Sequence, residues 1–186
     1  MRRLGAPGVE RGWDGPRRRM RPGLIPLLAS GPGAAAREGK KLEASSAIGV
    51  AKAGVLLALA AGASFTDIRS RRIPDGLTLT AALLGVALAL AGDGLSGGGW
   101  ALAGLAVGGV FLLPAVALGY VGGGDMKLLA AAGALLGPMG AVRAVLWGAI
   151  LGGIWAIGWL LARGDRKASL PYGPPLAVGA LISFFL

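Results

Sequence analysis

The sequence predicts an all-α polytopic membrane helix bundle of about six transmembrane helices, and three observations carry that prediction. Charged residues make up only 15% of the 186-residue chain, where a soluble domain holds about 25%. From residue 46 onward, apolar segments of near-bilayer length alternate with short polar breaks. Glycine occurs 35 times, and small residues let membrane helices approach closely. A soluble helical protein would need polar faces on these segments. Residues 76–92 and 100–121 carry no charge at all.

A membrane span needs about 20 mostly apolar residues. Residues 1–45 come first and are rich in Arg, Gly and Pro, without a sustained period; they read as a basic disordered tail. Met20 is a second candidate start, and the tail lacks the apolar core of a signal peptide. The transmembrane domain covers 46–186. Its first candidate span is about 47–66. The second is 76–92, opened by Pro74 at a position helices tolerate. The third is 100–121. The fourth, 126–139, is short and carries Pro138 near its end. The fifth is 142–162. The sixth, 171–186, is short as well. Trp100, Trp147, Trp155 and Trp159 read as packing residues or interface anchors.

The net charge of +10 does not point to nucleic acid. The cations sit in the tail and in short loops, without the interleaved aromatics of a stacking surface. No cysteine and no histidine occur. That removes thiolate and imidazole metal ligands and the commonest general base, so no metal or other cofactor is expected. Loop charge sets an expected orientation. Arg69, Arg71, Arg72, Lys127, Arg163, Arg166 and Lys167 fall in breaks that share one side of a six-span chain. The positive-inside rule assigns that side to the cytoplasm. Arg37, Lys40 and Lys41, just before the first span, argue for the opposite.

Five acids follow the tail: Asp67, Asp75, Asp93, Asp125 and Asp165. Asp67 and Asp125 each sit at the edge of an apolar span on the expected cytoplasmic side. Carboxylates at membrane depth are costly and usually functional. Two on one face can divide the work of general acid and general base. Structural readings stay open beside this: Asp125 as a helix N-cap, Asp67 as the partner of a loop arginine. Asp67 is expected at the C-terminal end of a helix and Asp125 at an N-terminal end, so the macrodipole favours Asp125 as the ionised base and Asp67 as the acid. A relay of protons in a membrane transporter is an alternative use for the same acids. A non-catalytic part of a pilus or secretion assembly is another.

The local sequences resemble a known family. Asp67 is followed by Arg69, Arg71, Arg72 and then Ile73-Pro74. Gly122-Gly123-Gly124-Asp125-Met126-Lys127-Leu128 satisfies Gly-x-Gly-Asp with a following x-Lys-Leu. Pro171-Tyr172-Gly173-Pro174-Pro175-Leu176-Ala177 resembles a proline-glycine motif that opens a last helix. Together these are similar to the prepilin peptidases, intramembrane aspartic peptidases of the GxGD type. The resemblance covers about 47–186. It implies Asp67 and Asp125 as the catalytic pair. Gly122, Gly124, Lys127, Pro74, Pro171, Gly173 and Pro174 would be motif residues around it. It implies an aspartic endopeptidase of the inner or plasma membrane, removing basic leader peptides from prepilins or pseudopilins at the cytoplasmic face. The family usually has Asn where this chain has Asp75, which is expected to be solvated. The lack of cysteine implies the short form, without the zinc-binding loop of members that also methylate the new amino terminus. That form is similar to those serving tight-adherence (Flp) pili or archaeal preflagellins. The bilayer and the prepilin are then the implied partners.

Overall fold

The structure is a computed structural model, and it describes residues 32–119, 121–163 and 172–186. Among these residues every regular element is helical. They are α1 (Pro32–Ser70), α2 (Asp75–Ala117), α3 (Gly123–Arg163) and α4 (Gly173–Phe185). Three are long and apolar enough to cross a membrane by length and composition, and the 13-residue α4 is shorter. The chain divides into Met1–Lys41 and Leu42–Leu186, and the second unit holds the helix pairings and the site described below.

The helical start at Pro32 corrects the reading of 1–45 as wholly disordered. Residues 34–44 are mostly Ala, Lys, Glu, Arg and Leu, all strong helix formers. Their charges hid that propensity behind the composition of a tail.

The two longest of these runs are each broken by a reversal. Gly94 (φ 63°) breaks α2, and Gly137 (φ 73°) breaks α3. Both take the left-handed conformation that glycine adopts without a steric penalty. A Cβ on Gly97 would strike the Ala89 carbonyl oxygen, eight residues back. Eight residues of straight helix span about 12 Å, so the chain must double back between them. Across the second break, a Cβ on Gly133 would sit 3.3 Å from that of Ala141. The expected polar break at 93–99 is therefore one tight turn, helical on both sides.

Neighbouring segments then run antiparallel. Gly62 meets Leu77, and Gly92 meets Ile48, which pairs α1 with the first half of α2. Gly104 meets Gly133, and Gly108 meets the Leu129 backbone, which pairs the second half of α2 with the first half of α3. Gly179 meets Gly148, and Ser183 Oγ donates to the Gly140 carbonyl at 2.7 Å, which pairs the second half of α3 with α4. Lipid is as apolar as leucine, so close packing rather than water exclusion holds such helices together. The buried core fits this: Leu56, Leu59, Leu128, Leu129 and Leu176 stand among Ala63, Ala131, Ala132, Ala144 and Ala180. Phe65, Leu83, Val110, Ile154 and Leu161 face outward, as a surface solvated by lipid requires.

This register collects Asp67, Asp75, Asp125 and Gly173 at one end of the bundle. Ile48, Lys52, Gly94, Gly137 and Ser183 lie at the other. The packing yields a direct expectation. A side chain at Gly104 would overlap the backbone of both Gly133 and Gly137, whereas Gly99 has nothing within 4 Å. Gly104→Val should destabilise the detergent-solubilised protein by about 1–3 kcal/mol or more, read as a fall in thermal midpoint. Gly99→Ala should leave the midpoint unchanged or raise it slightly.

Candidate active site

Asp67 stands in the last turn of α1. Hydroxyls stitch that turn: Thr66 Oγ1 donates to the Gly62 carbonyl at 2.8 Å, and Ser70 Oγ to the Thr66 carbonyl at 2.8 Å. The helix closes where Arg71 turns left-handed (φ 52°) and its N–H donates to the Asp67 carbonyl at 2.9 Å. Glycine usually fills such a cap; here an arginine does. The chain then runs through Ile73 to Pro74, whose extended backbone forms the N-cap of α2.

Asp125 lies in the first turn of α3. Its N–H donates to the Gly122 carbonyl at 3.1 Å. The helix begins at Gly123, so Asp125 is inside it and is not the N-cap. Three glycines, Gly122, Gly123 and Gly124, precede it. None of them has positive φ; the left-handed glycine of this loop is Gly119 (φ 76°). Gly124 serves close approach instead: a Cβ there would sit 3.3 Å from that of the buried Ile73. Ile73 thus wedges between the two aspartate-bearing helix ends, and the sequence reading gave it no such part.

Asp67 and Asp125 are both buried, at 8% exposure each. They line one cavity of about 320 Å³, together with Arg71, Ile73, Asp75, Lys127 and the glycines 122–124. Two carboxylates lining one cavity can hold and activate a water between them.

A third helix end completes the group. The Gly173 N–H, at the start of α4, donates to Asp67 Oδ2 at 2.9 Å. A Cβ at Gly173 would lie 2.8 Å from that same oxygen, so only glycine lets the helix end come so close. This contact changes the dipole argument. Asp67 sits at the C-terminal end of α1 and also at the N-terminal end of α4. The macrodipoles oppose each other there, and they no longer assign acid and base. Pro174 follows within the first turn of α4, and Tyr172 is its N-cap. Pro171 lies outside the described residues.

Lys127 was expected beside the aspartates. It lines their cavity, and its Nζ pairs with Asp75 Oδ1 at 2.7 Å. Asp75, expected to be solvated, is 76% exposed and yet paired. The pair ties the first turn of α2 to the first turn of α3 across the cavity rim. Both residues were visible in sequence, but their separation of 52 positions gave no sign that they meet.

The sequence profile described as the type IV leader peptidase family matches residues 53–157. That span holds Asp67 and Asp125 and stops short of Gly173. The chain is similar to the prepilin leader peptidase/N-methyltransferase of Xanthomonas campestris pv. campestris, 37% identical over 128 residues, covering 64% of this chain and 44% of that protein. It is also similar to the prepilin leader peptidase/N-methyltransferase of Bacillus subtilis, 34% identical over 86 residues, covering 45% of this chain and 35% of that protein. The chain thus matches less than half the length of either relative. No solved structure matches it.

The Asp75–Lys127 pair can be weighed directly. Both side chains lie largely in solvent, where such a pair contributes about 0–1 kcal/mol. Asp75→Asn should therefore lower stability by no more than about 1 kcal/mol, and the deficit should vanish in high salt. Thermal unfolding of the two proteins at low and high ionic strength measures both.

Proposed function

The chain belongs to the type IV leader peptidase family, and from that premise we propose that it is a membrane-embedded aspartic endopeptidase. Its substrates are type IV prepilins or pseudopilins of the tight-adherence (Flp) kind. It cleaves their basic leader peptides at the cytoplasmic membrane face and does not methylate the new amino terminus.

The observation that carries the reading is the meeting of Asp67 and Asp125, two buried carboxylates from different helices, at one cavity. In the proposed reaction a water sits between them. One carboxylate takes a proton as the water oxygen attacks the scissile carbonyl. The other, protonated, donates to the carbonyl oxygen. The tetrahedral intermediate then collapses, the C–N bond breaks, and the amine leaves with a proton from the pair. The Gly173 N–H holds Asp67 in the orientation this requires. Oriented hydrogen bonds of this kind spare the group from reorganising during reaction. The substrate's apolar helix lies in the bilayer against the bundle, and its basic leader stays in water beside the cavity.

The cytoplasmic placement rests on Arg69, Arg71, Arg72 and Lys127, which cluster at the aspartate end. The reading without N-methylation rests on the resemblance to the family's short form.

Co-expression with a prepilin, followed by gel and mass analysis of the pilin, tests the activity. Wild type should remove the leader and leave an unmethylated amino terminus. Asp67→Asn and Asp125→Asn should each reduce cleavage by at least about a hundredfold. Gly173→Ala should reduce it by at least about tenfold through the displaced Asp67. Cleavage that survives either aspartate change would remove the aspartic mechanism.

The cysteine-free chain also allows a clean test of sidedness. A cysteine at Ser70 should resist a membrane-impermeant maleimide added outside whole cells, and one at Ser96 should react.

A further inference from the structure

The end of the bundle away from the aspartates holds a second group of charges that the proposed peptidase chemistry does not use. Lys52 lies on α1, fifteen residues before Asp67, about 22 Å along the helix. Arg143 lies on the second half of α3, six residues after the reversal at Gly137. Both are half-buried, and both line one cavity of about 340 Å³ with Leu136, Met139, Ser183 and Phe184.

Among the described residues no hydrogen bond or ion pair reaches Lys52 or Arg143. Two convergent cations at the edge of an apolar bundle repel each other and lose hydration, so an anion between them is strongly favoured. Among the described residues no anion fills this place. Asp93 lines an adjoining cavity of about 380 Å³ that Lys52 also borders, but it is exposed and makes no ion pair with Lys52. Leu186 lines the first cavity, and its terminal carboxylate is out of ion-pair reach of both cations. Ser183 Oγ spends its proton on the Gly140 carbonyl, which ties α4 to α3 at the cavity wall.

We infer that Lys52 and Arg143 bind the phosphate of an anionic phospholipid, in the leaflet opposite the aspartates. The shared chemistry is a phosphate monoanion, which a free phosphate could also supply. The lining decides for the lipid. Leu136, Met139 and Phe184 line the same cavity as the two cations. That lining suits the root of an acyl chain and gives a hydrated soluble ion nothing to replace its lost water.

The test uses the full chain purified in a neutral maltoside detergent. Phosphatidylglycerol, phosphatidylcholine and inorganic phosphate are titrated separately, with binding read by native mass spectrometry and by thermal unfolding. Phosphatidylglycerol should bind and raise the midpoint by several degrees, and the other two should not. The double variant Lys52→Gln/Arg143→Gln should bind phosphatidylglycerol at least about tenfold more weakly. Lys52→Arg/Arg143→Lys should keep the affinity, which separates loss of the site from loss of the fold. Arg69→Gln, at the other end of the bundle, should also keep it. Undiminished phosphatidylglycerol binding by the Gln double variant would overturn the inference. So would equal binding of phosphatidylcholine. An equal midpoint rise with inorganic phosphate would overturn the lipid in favour of a soluble anion.

Discussion

The hydrogen bond from the Gly173 amide to Asp67 Oδ2 gathers three helix ends around one carboxylate. A carboxylate buried at the end of a membrane helix is expensive unless something polar meets it. Here the partner is the free N–H at the start of another helix, a group that itself lacks an intrahelical acceptor. Each satisfies the other's need. The fit is possible because position 173 has no side chain to fend off the aspartate. Asp125 arrives on a third helix, over the shoulder of Ile73, and joins the same cavity.

Bringing helix ends together requires that the helices run back and forth in strict register, and glycine sets that register twice over. At Gly94 and Gly137 it permits the left-handed backbone that reverses the chain within a single turn. At Gly104, Gly108, Gly133 and Gly179 it permits backbone-to-backbone contact between antiparallel neighbours. A shift of one helical turn between α2 and α3 would slide Asp125 about 5 Å along the bundle and out of the cavity it shares with Asp67. The packing glycines and the site therefore form one mechanical system, although they lie far apart in the fold.

Charge is divided between the two ends by depth. At the aspartate end the exposed Asp75–Lys127 pair stands in solvent at the rim, where an ion pair fixes geometry more than it adds stability. At the far end Lys52 and Arg143 stand half-buried and, among the described residues, without a partner. One end is thus internally compensated and the other is poised to accept a negative charge from outside the chain.

Much of this was legible in the sequence. Long uncharged segments determine insertion, because hydrocarbon excludes charge whatever the tertiary arrangement. The placement of Asp67 and Asp125 at segment edges, within recognisable local motifs, marked them before any contact was known. The motif glycines were legible as glycines, but not the use made of them: Gly124 accommodates Ile73, and Gly173 admits Asp67. The helix over 32–45 was masked because composition registers charge more readily than propensity. What only the tertiary structure decided is every relation between residues distant in the chain. These are the reversals at Gly94 and Gly137, the Asp75–Lys127 pair, the opposition of two dipoles at Asp67, and the shared cavity of Lys52 and Arg143. The reason is physical. Burial in lipid is a property of a segment and can be summed along the chain, whereas register is set by contacts between helices, and no one-dimensional pattern encodes which glycine meets which backbone.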